Sequence, residues 1–162
     1  MTDNKNIEKV KGDYENLKKK YSLPDFKELE EEFDIGKVFE KDCETNFILR
    51  DIRKIINEKL SAYLHLFETF MNPASAPLFV LSMIKNLNDE DRKTIKELHK
   101  KIVKLTIIIM RLDTIYSEKN EAEFINLVFK EWKEMRKPIY EILERLDSEE
   151  KSNSENQRGY FG

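Results

Sequence analysis

The chain has 162 residues, of which 40% are hydrophobic and 38% charged; that length can bury a core without metals or disulfides, and one domain is the expectation. A net charge of −3 excludes the overall basic excess of a general nucleic-acid binder, although a local patch stays open. The single cysteine, Cys43, excludes an intrachain disulfide and fits a reducing compartment, and four glycines and four prolines are too few breakers for a β-sandwich or barrel.

The N-terminal stretch MTDNKNIEKVKGDYE has no apolar core, so no signal peptide is expected there. Ile7, Val10, Tyr14, Leu17 and Tyr21 recur at spacings of 3, 4, 3 and 4 and predict a helix. Gly12 weakens it by roughly 1 kcal/mol relative to alanine. Ser22 and Pro24 restart the chain, and PDFKELEEEF predicts a short acidic helix with Phe26, Leu29 and Phe33 on one side and Gly36 as its end. A long helix is expected from about Glu44 to Met71, on the stripe Ile48, Ile52, Ile55, Ile56, Tyr63, Phe67 and Phe70. Cys43, just before it, reads as a small filler near a helix start. Lys59 projects into its apolar arc, as a snorkelling lysine or a partner for an acid of the second helix.

NPASAP, residues 72–77, stops that helix, and a short apolar helix follows over Leu78 to Leu87. Asn88 looks like the N-cap of a fifth helix, with Asp89, Glu90 and Asp91 suited to the positive end of its dipole. Ile95, Leu98, Ile102, Leu105, Ile109, Leu112 and Tyr116 form its stripe. Asn120 with Glu123 reads as a capping box opening the last helix, whose stripe is Ile125, Val128, Trp132, Met135, Ile139, Ile142 and Leu146. Pro138 lies inside it and predicts a kink near Glu134. Three long helices of about 27 to 29 residues, each on the order of 40 Å, predict an all-α fold. The expected architecture is an elongated helical bundle of three long helices plus two or three shorter ones, over residues 1–147.

On the fifth helix, Lys93, Lys96, Lys100, Lys104 and Arg111 project opposite the stripe. They are a solvated face, or a basic strip for an acidic partner, the acidic second helix being one candidate. Val103, Ile107 and Met110 point toward that same basic side, so KLTIIIMRL is apolar around most of its circumference. The expectation is a central helix of the bundle; the alternative is an exposed strip that a partner or a second copy covers.

No chemistry stands out. His65 and His99 are the only histidines, Ala62 and Lys96 occupy the positions three residues before them, and no metal spacing or glycine-rich phosphate loop occurs. No enzyme activity, metal or cofactor is expected. The densest apolar run, Ile102 to Met110, is interrupted by Lys104 and too short for a bilayer, so no membrane span is expected and a cytoplasmic protein is.

Residues 148–162 predict a flexible polar tail ending in NQRGYFG, because DSEEKSNSENQR cannot bury enough surface to order itself. The rings of Tyr160 and Phe161 then either fold back on the bundle or serve as a short linear motif, with Gln157 and Gly162 beside them. The stretches YSLPDFKELEEEFDI, NFILRDIRKIINEKL and EAEFINLVFKEWKE together resemble a family of small helical proteins of archaea. The resemblance spans residues 14–146 and implies a helical cytoplasmic protein without implying an activity. The functional expectation is therefore a non-enzymatic protein-interaction module with a C-terminal motif. The alternative is an accessory factor of a nucleic-acid machine, the ribosome or the replication apparatus, bound through the basic strip.

Overall fold

A computed structural model describes residues 2–36 and 47–158 of the chain. Among the described residues there are six α-helices and no strand, in an all-α helical bundle. The helices are α1 (Thr2–Tyr21), α2 (Phe26–Phe33), α3 (Ile48–Met71), α4 (Leu78–Lys85), α5 (Asp89–Thr114) and α6 (Glu118–Arg158), with a 3-10 turn at Pro73–Ser75. The three long helices have 24, 26 and 41 residues. The chain forms two compact units, Met1–Ala62 with Val103–Glu131, and Tyr63–Ile102 with Trp132–Gly162.

In the first unit, Tyr14, Leu29, Ile35, Ile52, Ile56, Leu60, Phe124 and Ile125 are buried, so the apolar stripes read along the chain do meet in a core. Ser22, in the left-handed region at φ 52°, follows the end of α1. The Tyr14 hydroxyl donates to the Pro24 carbonyl at 2.7 Å, and its ring meets Phe26 edge-on at 5.5 Å between centroids. Helix α2 opens on a capping box in which the Asp25 backbone N–H donates to the Glu28 carboxylate at 3.2 Å. Its end differs from the expected one. Asp34, not Gly36, takes the left-handed conformation, at φ 54°, and its N–H donates to the Glu30 carbonyl at 2.9 Å. Gly36 lies against the Glu30 carboxylate, which a Cβ there would approach to 2.8 Å and displace. Lys59 finds the end of α2 from α3. Its ammonium donates to the Glu32 backbone carbonyl and lies 5.6 Å from the Phe33 ring, and burial lowers its pKa from the usual lysine value. The last turn of α2 has no basic residue of its own, so Lys59 supplies the cation its C-terminus favours.

In the second unit, Phe67, Phe70, Ile84, Leu98, Trp132, Met135, Ile139 and Ile142 are buried. The Asn88 cap forms as read: Asn88 Oδ1 accepts the Asp91 N–H at 2.8 Å, and the Asn88 N–H donates to Asp91 Oδ2 at 3.3 Å. Arg92 closes the other side of the same turn, donating to the carbonyls of Ile84 at 3.0 Å and Leu87 at 3.3 Å. The Ile84 carbonyl, in the last turn of α4, also accepts the Leu87 N–H at 3.3 Å, so Arg92 adds a second donor where the helix ends.

Helix α6 begins three residues earlier than the Asn120 capping box implied. Ser117 precedes it, accepting the Asn120 N–H on Oγ at 3.3 Å and the Glu121 N–H on its carbonyl at 2.9 Å. Pro138 is accommodated inside it. The backbone of residues 148–158, expected as a tail, continues α6 to Arg158. Extending an existing helix avoids the cost of nucleating one, and Glu149, Glu150 and Lys151 are good helix formers. Tyr160, Phe161 and Gly162 lie outside the described residues.

Candidate functional site

The face of α5 expected to be central is exposed in the first unit. Ile107 is 53% exposed and Met110 64%, while Val103 is half-buried. Buried Leu105, Ile109 and Leu112 of the same stretch supply its core face. At 100° per residue, Val103, Ile107 and Met110 fall within about 60° of arc, centred roughly opposite the mean direction of those three. An apolar residue beside a core is ordinary, but a run of them on the far side of the helix is not accounted for by packing within the unit. Ile115, just past the helix end, is 76% exposed. In the second unit, Leu78 and Phe79 are likewise exposed at the start of α4.

The five cations singled out from the sequence all stand on α5 and are all exposed: Lys93, Lys96 and Lys100 in the second unit, Lys104 and Arg111 in the first. None of the five has an ion pair among the described residues, whereas their neighbour Lys101 binds Glu134 at 3.0 Å. Within the first unit, the acidic helix α2 forms no ion pair with Lys104 or Arg111 among the described residues. Its own cation, Lys27, lies 3.8 Å from Glu31.

Three buried charged residues were not anticipated: Arg53, Glu121 and Asp91. In the first unit, Arg53 of α3 is 2% exposed and Glu121 of α6 is fully buried. Arg53 Nε donates to Glu121 Oε2 at 2.7 Å and its Nη2 donates to Asp113 Oδ1 of α5 at 2.7 Å. One guanidinium thus ties three helices together with two charge-assisted bonds. Arg50, one turn earlier on α3, lies 4.9 Å from the centre of the Tyr116 ring and 5.8 Å from that of Phe47, a cation–π arrangement. Its Nε stops 3.8 Å from Glu121 Oε1, outside hydrogen-bond range, and both atoms are buried without a hydrogen-bond partner. Burial pushes the Glu121 carboxyl above its ordinary value, against the opposing hydrogen bond and charge of Arg53. Beside it, Glu118 accepts from Lys20 at 2.9 Å and Tyr21 at 2.8 Å, which holds its carboxyl below the ordinary value.

In the second unit Asp91 is the buried charge, and Arg145 of α6 donates to its Oδ1. His99 Nε2 lies 3.7 Å from Glu68, and His65 is exposed. Among the described residues no group of three or more His, Cys, Asp or Glu side chains could hold a metal ion, and no helix is long and apolar enough to cross a membrane. Cys43 lies outside the described residues, and Gln157 belongs to the helical backbone of α6.

Within the first unit Arg53 and Glu121 pair with each other, and in the second Asp91 pairs with Arg145; Glu121 and Asp91 stand in the first turns of α6 and α5, an arrangement suited to holding helices in register. The outer face of α5 is a part of the described surface where exposed apolar and cationic side chains lie side by side on one helix. No family model matches the chain, and no curated protein or solved structure matches it.

Proposed function

We propose that the protein is a non-enzymatic helical interaction module that receives a protein partner on the outer face of α5. The observation that carries this reading is the exposure of Ile107 and Met110 on the side of the helix away from the core. Exposed large apolar side chains grouped on one face mark interaction sites in soluble proteins, and a few such anchors supply most of the energy of a small interface. The tail residues Gln157, Tyr160, Phe161 and Gly162 form a second anchor in this reading, on the chemistry of their sequence. Affinity capture from source cells tests both. Ile107→Asp with Met110→Asp is expected to remove a partner that the unchanged chain retains, and deletion of residues 156–162 is expected to deplete the same partner. Identical partner sets for all three proteins would end the proposal.

A second reading follows from the five exposed cations of α5 that have no ion pair among the described residues. In it the protein is an accessory factor of a nucleic-acid machine. Its signature is RNA or DNA binding that falls steeply with salt and is lost when Lys93, Lys96 and Lys100 are replaced by glutamate. Binding that is absent or insensitive to salt eliminates it.

A further inference from the structure

We infer that the partner element seated on α5 in the first unit is an acidic amphipathic helix, with apolar anchors on one face and carboxylates along one edge. The inference rests on the interaction reading above and adds the chemistry of the occupant. The receiving surface is a short apolar strip, Val103, Ile107 and Met110, at spacings of 4 and 3. Those spacings match the i, i+4, i+7 face of a helix, which packs best against a similar face of a second helix. Thr106 and Thr114 extend the strip with small neutral side chains.

The edges of the strip differ. On one side stand Lys104 and Arg111, about 70° to 95° of arc from the strip's centre, both exposed and both without an ion pair among the described residues. On the other side the one carboxylate between Val103 and Thr114 is Asp113, and Arg53 already holds it at 2.7 Å. The strip thus offers apolar surface with two uncompensated positive charges, seven residues apart, along a single edge. An occupant with aspartate or glutamate at the same spacing pairs both while its apolar face covers Ile107 and Met110. A second copy docked through the same face brings two further cations and no free carboxylate to the interface, so charge disfavours that symmetric pairing. A nucleic acid satisfies the cations and leaves the apolar strip in water.

The test uses the full chain and two labelled peptides of about 18 residues, or five helical turns. Both carry the same leucine stripe; the remaining positions are glutamate in one and lysine in the other. The acidic peptide is expected to bind, and the lysine peptide to bind at least about tenfold more weakly. Ile107→Ser is expected to weaken the acidic peptide by roughly 30-fold, the scale of an interface anchor. Lys104→Glu with Arg111→Glu is expected to reverse the preference between the peptides. All of these sites are exposed, so the variants fold, as circular dichroism and thermal melts will verify. Equal binding of both peptides, or a preference that survives the charge reversal, overturns the acidic partner while leaving the docking face standing. Concentration-dependent dimerisation that Ile107→Ser abolishes, with neither peptide bound, assigns the face to a second copy. Failure of both peptides together with an Ile107-independent capture set removes the acidic partner and the α5 docking face alike.

Discussion

Glu121 and Asp91 occupy equivalent places in the two units. Each lies in the first turn of a long helix, four residues before the isoleucine that opens an apolar stripe, and each is buried. Their carboxylates fare differently. Asp91 has both oxygens engaged, one by the Asn88 N–H and one by Arg145. Glu121 has one oxygen on Arg53 and the other facing the Arg50 Nε across 3.8 Å. Asp91 is also within reach of water through Arg145, whose side chain is 49% exposed, whereas Arg53 is sealed at 2%. A buried charge at a helix start is thus handled in two ways: by a backbone N–H together with an exposed arginine, or by a buried arginine without a backbone donor. The second is the more fragile, because removing one member strands the other away from water.

The largest effect should come from breaking the dry pair. Arg53→Met leaves Glu121 Oε2 buried with no donor, and urea unfolding should show a loss of about 3 to 5 kcal/mol. Combining it with Glu121→Leu should restore most of that, since no charge is then stranded; a double variant as unstable as the single one would contradict the account. Asp91→Ala should cost about 1 to 2 kcal/mol, the scale of a helix cap, because Arg145 can return to solvent. Arg145→Ala should cost less than about 1 kcal/mol, because the Asn88 N–H still serves Asp91. If Arg145→Ala proved as costly as Arg53→Met, the distinction between wet and dry partners would fail.

The smallest expected effect is in pH. The folded state holds a proton on Glu121 more tightly than the unfolded chain does, since burial raises its pKa. The associated stability is therefore fully present below the ordinary carboxyl value and is lost as pH rises through the raised one. Glu121→Gln should flatten that decline in urea midpoints measured from about pH 4 upward. A decline of unchanged slope in the variant would place its source elsewhere.

The helices were legible because their stripes are regular: all six stripe residues of α5 from Ile95 to Leu112 are buried. The buried charges were legible too, had the stripe been allowed to land on them. Leu49, Arg53, Ile56 and Leu60 step by 4, 3 and 4, as do Glu121, Ile125, Val128 and Trp132, and Asp91, Ile95, Leu98 and Ile102. Periodicity read only through apolar residues stops one position short of each. The exposure of Ile107 and Met110 was not legible, because a helix apolar all round has two outcomes, and only the number of neighbours available to cover it selects one. The start of α6 was misread for a local reason: Ser117 and Asn120 are both good caps, and burying Glu121 favours the earlier one.

The bond between Arg53 and Glu121 joins residues 68 positions apart in sequence. At the roughly 5 to 20 residues per second of synthesis, the arginine is made some 3 to 14 seconds before its partner exists. Throughout that interval the emerging α3 segment has a charge in the middle of what would otherwise be a continuous greasy seam from Leu49 to Leu60. The same side chain that later locks three helices therefore first sits as a charge in a seam that has nothing yet to pack against. Asp113 of α5 becomes available to it first, and the third helix is tied in only when Glu121 of the final helix has been made.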